Sequence, residues 1–232
     1  MTELLVEADG LHTYYGSHHI LQGVRFSIAR GEAIGLMGRN GIGKTTLLKS
    51  ILGLVRPREG TVLIRGRDAT REPPHRIARL GIAYVPEGRG IFPNLSVREN
   101  LMMAARPGPW TLERILATFP RLAERLAHGG GQLSGGEQQM LTVGRALMTN
   151  PELLILDEAT EGLAPRIARE IWAIVRRVRE GGIAVVIVDR NFKAVNAVTD
   201  RNVILVKGRV VYEGPSVELA ARADIRLAHL GV

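Results

Sequence analysis

Along the chain, apolar runs of strand length alternate with stretches in which apolar residues recur every three or four positions. That alternation predicts an α/β domain on a largely parallel sheet. EAIGLMG (32–38) reads as a strand entering a turn, and KTTLLKSILGL (44–54) as the helix after it. TVLIRG (61–66) and IAYVPE (82–87) read as further strands. LLILDE (153–158) and AVVIVD (184–189), almost continuously hydrophobic, read as strands buried on both faces. VILVKGRVVYEG (203–214) predicts a hairpin turning at Lys207-Gly208. Between 94 and 150 the period changes: SVRENLMMAA, TLERILATFPRLAERLA and GEQQMLTVGRALM place apolar residues at helical spacing with Arg and Glu opposite. One domain over 1–232 is therefore expected, with an α/β core at 1–93 and 151–232 and helices inserted at 94–150. GGG at 129–131 reads as a flexible joint, and GPSVELAARADIRLAHL (214–230) as a closing helical tail.

Composition narrows this little. Aromatics are 4% of the 232 residues, so the core is expected to be aliphatic. With no cysteine, a disulfide framework and a thiolate metal site are excluded, in agreement with a reducing compartment. No segment reads as a signal peptide, and IAVVIV (183–188) falls far below the roughly 20 residues of a membrane helix. The net charge of +8 fits either an Arg-rich solvated surface or a polyanionic partner. No dense Lys/Arg block and no aromatic-interleaved basic stretch is present, so nucleic acid is not favoured.

GRNGIGKT (38–45) changes the picture, because it fits G-x-x-x-x-G-K-[ST] between a predicted strand and a predicted helix. The loop Gly38, Arg39, Asn40, Gly41, Ile42, Gly43, with Thr46 beyond it, would present backbone N–H groups to phosphate oxygens at a helix N-terminus. Lys44 would supply a charge to the β- and γ-phosphates and Thr45 a hydroxyl to Mg²⁺. LLILDE then brings Asp157 to the Mg²⁺ shell, with Glu158 next to it to orient and deprotonate a water. The ligand predicted is Mg-ATP.

QLSGGEQQM (132–140) opens another helix, with Ser134 at the N-cap, Gly135 and Gly136 after it, and Glu137 at the third position. As structure this is a capping box with unusual glycines; as function it is a second phosphate-facing helix terminus. LSGGE ahead of a strand ending in Asp-Glu, in a phosphate-loop protein, resembles the ATP-binding-cassette family. The wording VPEGR…FP…ENL, FPRLAERL, SGGEQQML, GRALMTNP and EGLAP is similar to the shorter ATPase of bacterial branched-chain amino-acid importers, from residue 3 to about 230.

The resemblance implies a phosphate-loop NTPase core with a mostly parallel sheet, an antiparallel β part and an inserted helical subdomain. It implies a head-to-tail dimer with a second ATPase subunit, identical or different, in which the LSGGE of one closes over the ATP of the other. It further implies membrane-spanning permease subunits docked at 88–110, an indirect link to a substrate-binding protein outside, and a peripheral place on the cytoplasmic face of the membrane. Tyr15 matches the aromatic that stacks on adenine, the alternative being an ordinary half-buried strand aromatic. TEGLAP (160–165) matches the loop through which the two subunits sense each other.

Two departures touch chemistry. Glu87 stands at a usual Gln that touches Mg²⁺ and water; the plain alternative is a side chain facing solvent when ATP is absent. Arg190, at the end of VVIVDRN (185–191), stands where most of the family has a His on the γ-phosphate. A guanidinium suits phosphate oxygens but cannot shuttle protons, so Glu158 is expected to remain the base. Otherwise Arg190 pairs with Asp189, Glu87 or solvent. Ala159 and Glu137 depart from the family's Pro and Gln without an assigned consequence.

The expected function is an ATP-hydrolysing subunit of an importer, for branched-chain or related amino acids. The alternatives are a weakly hydrolysing regulatory subunit, or an importer of urea or amides. A family ATPase acting on ribosomes or DNA would carry two cassettes or long coiled-coil insertions, and neither is present.

Overall fold

The computed structural model describes residues 3–231. Its first feature is one that periodicity did not announce. Strands β1 (Leu4–Tyr15) and β2 (His18–Ala29) form a long antiparallel pair. Four register shifts, between Leu4 and Val6, Ala8 and Leu11, Leu11 and His12, and Thr13 and Tyr14, break the two-residue alternation that would have marked them. With β4 (Glu59–Ile64) and β5 (Arg67–Asp68) they make a four-stranded sheet in the order β2-β1-β4-β5.

The second sheet has six strands. β6 (Ile82–Val85), β7 (Leu153–Asp157), β8 (Ala184–Val188) and β3 (Ala33–Met37) run parallel, followed by β9 (Arg201–Val206), also parallel to β3, and an antiparallel β10 (Arg209–Pro215). The β9–β10 hairpin turns at Lys207 and Gly208, both at positive φ, as the sequence predicts. β3, β7 and β8 are buried at every position, which explains their unbroken hydrophobic runs. Parallel strands leave a sheet on one edge, so the segments after β3, β6, β7 and β8 share that edge. They are the segments with Lys44, Glu87, Glu158 and Arg190.

α1 (Lys44–Ile51) packs on the antiparallel strands, and α2 (Pro74–Arg79) leads to β6. Between β6 and β7, neighbours in the sheet, lie α3 (Val97–Met102), α4 (Leu112–Thr118), α5 (Pro120–Glu124) and α6 (Gly135–Met148). TLERILATFPRLAERLA is thus two helices rather than one stretch. It breaks at Phe119 because Pro120 has no N–H and starts the next helix. The GGG segment is not a free joint either. Residues 130–132 form a 3₁₀ turn in which Gly130 and Gly131 donate to the carbonyls of Leu95 and Pro93 at 2.8 and 3.1 Å. α7 (Pro165–Glu180) and α8 (Phe192–Asn196) flank β8, and the tail divides into α9 (Ser216–Ala221) and α10 (Ala223–His229).

Two aliphatic layers hold these parts together. One, with Leu11, Leu21, Leu47 and Val186, fills the space between the two sheets and α1. The other runs from the opposite sheet face (Val85, Leu156, Ile187) through Trp172 of α7 to Leu101, Phe119 and Leu141 of the inserted helices. The inserted helices therefore share a core with the sheet and are not a separate globule.

Candidate functional site

At the end of β3 the chain turns through Gly38 into α1, and α1 begins at Gly43 with φ 112 and no capping side chain. A side chain at Gly43 would be strained at that φ and would press on Leu21 at 3.0 Å. The Ile42 carbonyl accepts the Gly208 N–H at 3.0 Å, so the β9–β10 turn anchors the loop. Lys44 is buried, and its Nζ donates to the carbonyls of Gly38 and Arg39 at 2.9 and 3.0 Å. Burial lowers its pKa, while the carboxylates of Glu158 and Asp157 act in the opposite sense.

Thr45 Oγ1 donates to Asp157 Oδ1 at 3.3 Å, and Tyr84 Oη donates to Asp157 Oδ2 at 3.0 Å. Asp157 has no exposed surface, and Thr45 and Tyr84 supply hydrogen bonds to its buried carboxyl oxygens. Burial, then the neighbouring Asp157, push the Tyr84 hydroxyl's pKa upward, which keeps Tyr84 a donor. Tyr84 was missed by the motifs, because its role depends on Asp157 of the neighbouring strand β7, where Tyr84 lies across from Ile155.

Glu158 follows with φ 51, a left-handed conformation unusual outside glycine. Such strain persists where the surroundings fix it, and it aims Glu158 away from the path of β7. Its carboxyl is pushed up to about 7, first by a hydrogen bond with Glu161 and then by burial and the Glu161 charge. Arg190 and Lys44 oppose that shift. Glu161 was also missed, because only the turn at Glu158 brings it back to the site.

Tyr15, Asn40, Gly41, Gly43, Lys44, Thr45, Thr46, Glu87, Glu158 and Arg190 line one cavity of about 330 Å³. Tyr15 is exposed at its mouth, whereas the adjacent Tyr14 is stacked between His19 and Arg58. Glu87 is exposed, and its carboxylate lies with those of Glu158 and Glu161, oxygens within 4.8 Å of one another. Arg190 pairs with neither Asp189 nor Glu87. Its Nη2 is 2.9 Å from Glu161 Oε1 and 3.6 Å from Glu158 Oε2.

Ser134, Gly135, Gly136 and Glu137 do not line that cavity; they start α6. The capping box is present: Ser134 N–H donates to Glu137 Oε2 at 2.8 Å, and the Glu137 N–H donates to Ser134 Oγ at 3.4 Å. The guanidinium of Arg89 lies over Gly135, where a Cβ would come within 2.7 Å of it. The segment after Glu87 is also fastened to α6: Thr142 Oγ1 donates to the Arg89 carbonyl, and Arg145 Nη2 to the Gly90 carbonyl at 2.5 Å. Among the described residues, no helix is long and apolar enough to cross a membrane.

Residues 21–161 match the family model described as ABC transporter. The chain is 38% identical to the high-affinity branched-chain amino acid transport ATP-binding protein BraG of Pseudomonas aeruginosa, over 98% of the chain and 100% of that protein. It is 32% identical to the lipopolysaccharide export system ATP-binding protein LptB of Escherichia coli, over 97% of the chain and 96% of that protein. Among solved structures, an ATP-binding subunit of an ABC transporter superposes with a TM-score of 0.84 at 29% identity, covering 98% of this chain and 96% of that one. An ATP-binding cassette in its ADP conformation gives 0.81 at 26%, covering 95% and 94%.

Proposed function

The chain belongs to the ABC transporter family of ATPases, and from that premise we propose that it energises an importer of branched-chain or related amino acids. The observation that supports its ATP site most is the convergence on one cavity of an uncapped helix start, buried Lys44, Glu158 and Thr45, whose hydroxyl is bonded to the buried Asp157 behind it. In this reading the loop 38–43 and the start of α1 cradle the phosphates, Lys44 contacts the β- and γ-oxygens, and Tyr15 covers the adenine. Thr45 and Asp157 offer hard oxygens 3.3 Å apart, which fits Mg²⁺. When bound, that ion neutralises charge on the β- and γ-phosphates. Glu158 orients the attacking water and takes its proton, and Glu87 approaches from the neighbouring strand end. Arg190 stabilises charge on the γ-phosphate as a fixed cation.

Ser134, Gly135, Gly136 and Glu137 serve a nucleotide held by a second ATPase subunit, in agreement with their place outside the Lys44 cavity. Residues 88–110 face permease subunits; exposed Phe92, Met102 and Met103 support that docking. A substrate-binding protein outside the membrane and the cytoplasmic face complete the importer reading. Amino-acid import is favoured by BraG and by a 34% identical protein of Archaeoglobus fulgidus described as a probable branched-chain amino acid transport ATP-binding protein, LivF. The LptB relatives favour a second reading, in which the same engine drives export of a lipid.

The test is purification of the chain with its membrane partners, followed by leucine uptake into vesicles loaded with Mg-ATP. ATP-dependent uptake supports the importer. ATP turnover without uptake, with lipopolysaccharide released to an acceptor instead, overturns it.

A further inference from the structure

The loop after β7 and the segment after β8 are joined by two neighbouring contacts. Thr160 Oγ1 donates to Asp189 Oδ2 at 2.5 Å, and Glu161 Oε1 receives Arg190 Nη2 at 2.9 Å. The left-handed Glu158 makes this possible, since the Glu161 N–H then closes back on the Glu158 carbonyl at 3.2 Å. From that geometry we propose that Glu161 is a positioning residue: it parks Arg190 against the 159–164 loop, and displacement of that loop releases Arg190 to the terminal phosphate. The inference rests on the reading of the Lys44 cavity as the ATP site and adds how that site is regulated.

Charge explains why a parking residue is needed. Glu87, Glu158 and Glu161 crowd their carboxylate oxygens within 4.8 Å, on the edge where the terminal phosphate would arrive. Arg190 reaches two members of this cluster, Glu161 and Glu158, and with Glu158 it lines both the Lys44 cavity and a larger one of about 860 Å³ beside the 159–164 loop and α7. The ion pair is reversible by design of its exposure, with side chains 58% and 37% accessible, so solvent screens it. A phosphate offering several anionic oxygens to the guanidinium fork competes well against a single carboxylate oxygen. The parked Arg190 also reaches Glu158 at 3.6 Å, a contact that engages the proposed base. Its release therefore frees Glu158 and supplies a cation in one movement. Because the 159–164 loop holds the arginine, a partner subunit that shifts this loop would control hydrolysis without touching Arg190.

The experiment measures Mg-ATP turnover against ATP concentration in the complex with the membrane partners, for the unaltered chain, Glu161→Gln, Arg190→Gln and the double variant. Loss of the latch should raise kcat about threefold or more at an unchanged KM, and this gain should vanish in the Arg190→Gln background. Glu161→Ala should repeat the gain, and Glu161→Asp, which keeps the charge, should give less of it. A neutral or damaging Glu161→Gln, or the same factor in both backgrounds, overturns the proposal. Equilibrium ATP binding by calorimetry separates the two levels. If Lys44→Ala binds ATP as well as the unaltered chain, the nucleotide-site reading fails. If that variant loses ATP while Glu161→Gln leaves kcat unchanged, only the parking role fails.

Discussion

Helices α1 and α6 both have glycine at their beginning, Gly43 at the N-cap of the one and Gly135–Gly136 opening the other, yet they treat their open N–H groups in opposite ways. α1 starts from Gly43 with no capping side chain and no acidic residue in its first turn. α6 starts from Ser134, whose box with Glu137 takes up two N–H groups and adds a carboxylate to the first turn. Four N–H groups are open at any helix start. At α1 an incoming anion can take them, with buried Lys44 beside them. At α6 the box accounts for the N–H groups of Ser134 and Glu137, so what is left to offer is Gly135 and Gly136. The difference teaches that the two starts are unequal: α1 leaves its N–H groups open on a cavity within this chain, whereas α6 fills two of its own outside that cavity, which under the proposed function leaves Gly135 and Gly136 for a nucleotide held by another subunit.

Variants on the α1 side should have the largest effects, with turnover read in the complex and ATP binding in the isolated chain. Glu158→Gln should lower kcat by about 10²–10⁴-fold, with ATP binding retained, measured by turnover and calorimetry. Lys44→Ala should lower turnover by roughly 10²–10³-fold and weaken ATP binding as well. Retained binding in Lys44→Ala would erase the distinction between the two helix starts.

An intermediate effect is expected from pH. The Glu158 carboxyl sits at about 7, raised by its hydrogen bond with Glu161 and by burial, and only its ionised form can accept a proton. kcat/KM, which reports the free enzyme, should therefore rise with pH through about 7 and fall about fivefold from pH 7 to pH 6. An acid limb that stays in place in Glu161→Gln would remove Glu161 as its cause. An acid limb lost in Ser134→Ala would tie it to α6 instead.

What could be read from the sequence divides along the same line. The Lys44 loop, Asp157–Glu158 and the Ser134–Glu137 box are legible because each is a short-range device, a turn, a strand end or a cap whose chemistry lies within a few residues. β1 and β2 were not named, because their bulges spoil the alternation over 4–29. Tyr84 and Glu161 escaped for a different reason. Their meaning lies in a partner on another strand or beyond a left-handed turn, and no spacing rule encodes either. Arg190 was half legible: its strand-end position follows from the run before it, while its partner Glu161 depends on that same turn.

The smallest effects should come from α6, and they discriminate best. Ser134→Ala removes the hydroxyl that accepts the Glu137 N–H, a change that costs about 1 kcal/mol in helix starts and should lower the melting temperature by a few degrees. If α6 were only a capped helix, that would be the whole effect, and Ser134→Asp, which caps equally well, would restore both stability and turnover. If α6 instead faces a nucleotide held by another subunit, Asp restores stability but not turnover, because it sets a carboxylate against phosphate. ATP binding by the isolated chain should be unchanged in both variants. Stability and turnover recovering together in Ser134→Asp would reduce the second helix start to a structural cap, and the asymmetry between α1 and α6 would then be one of folding alone.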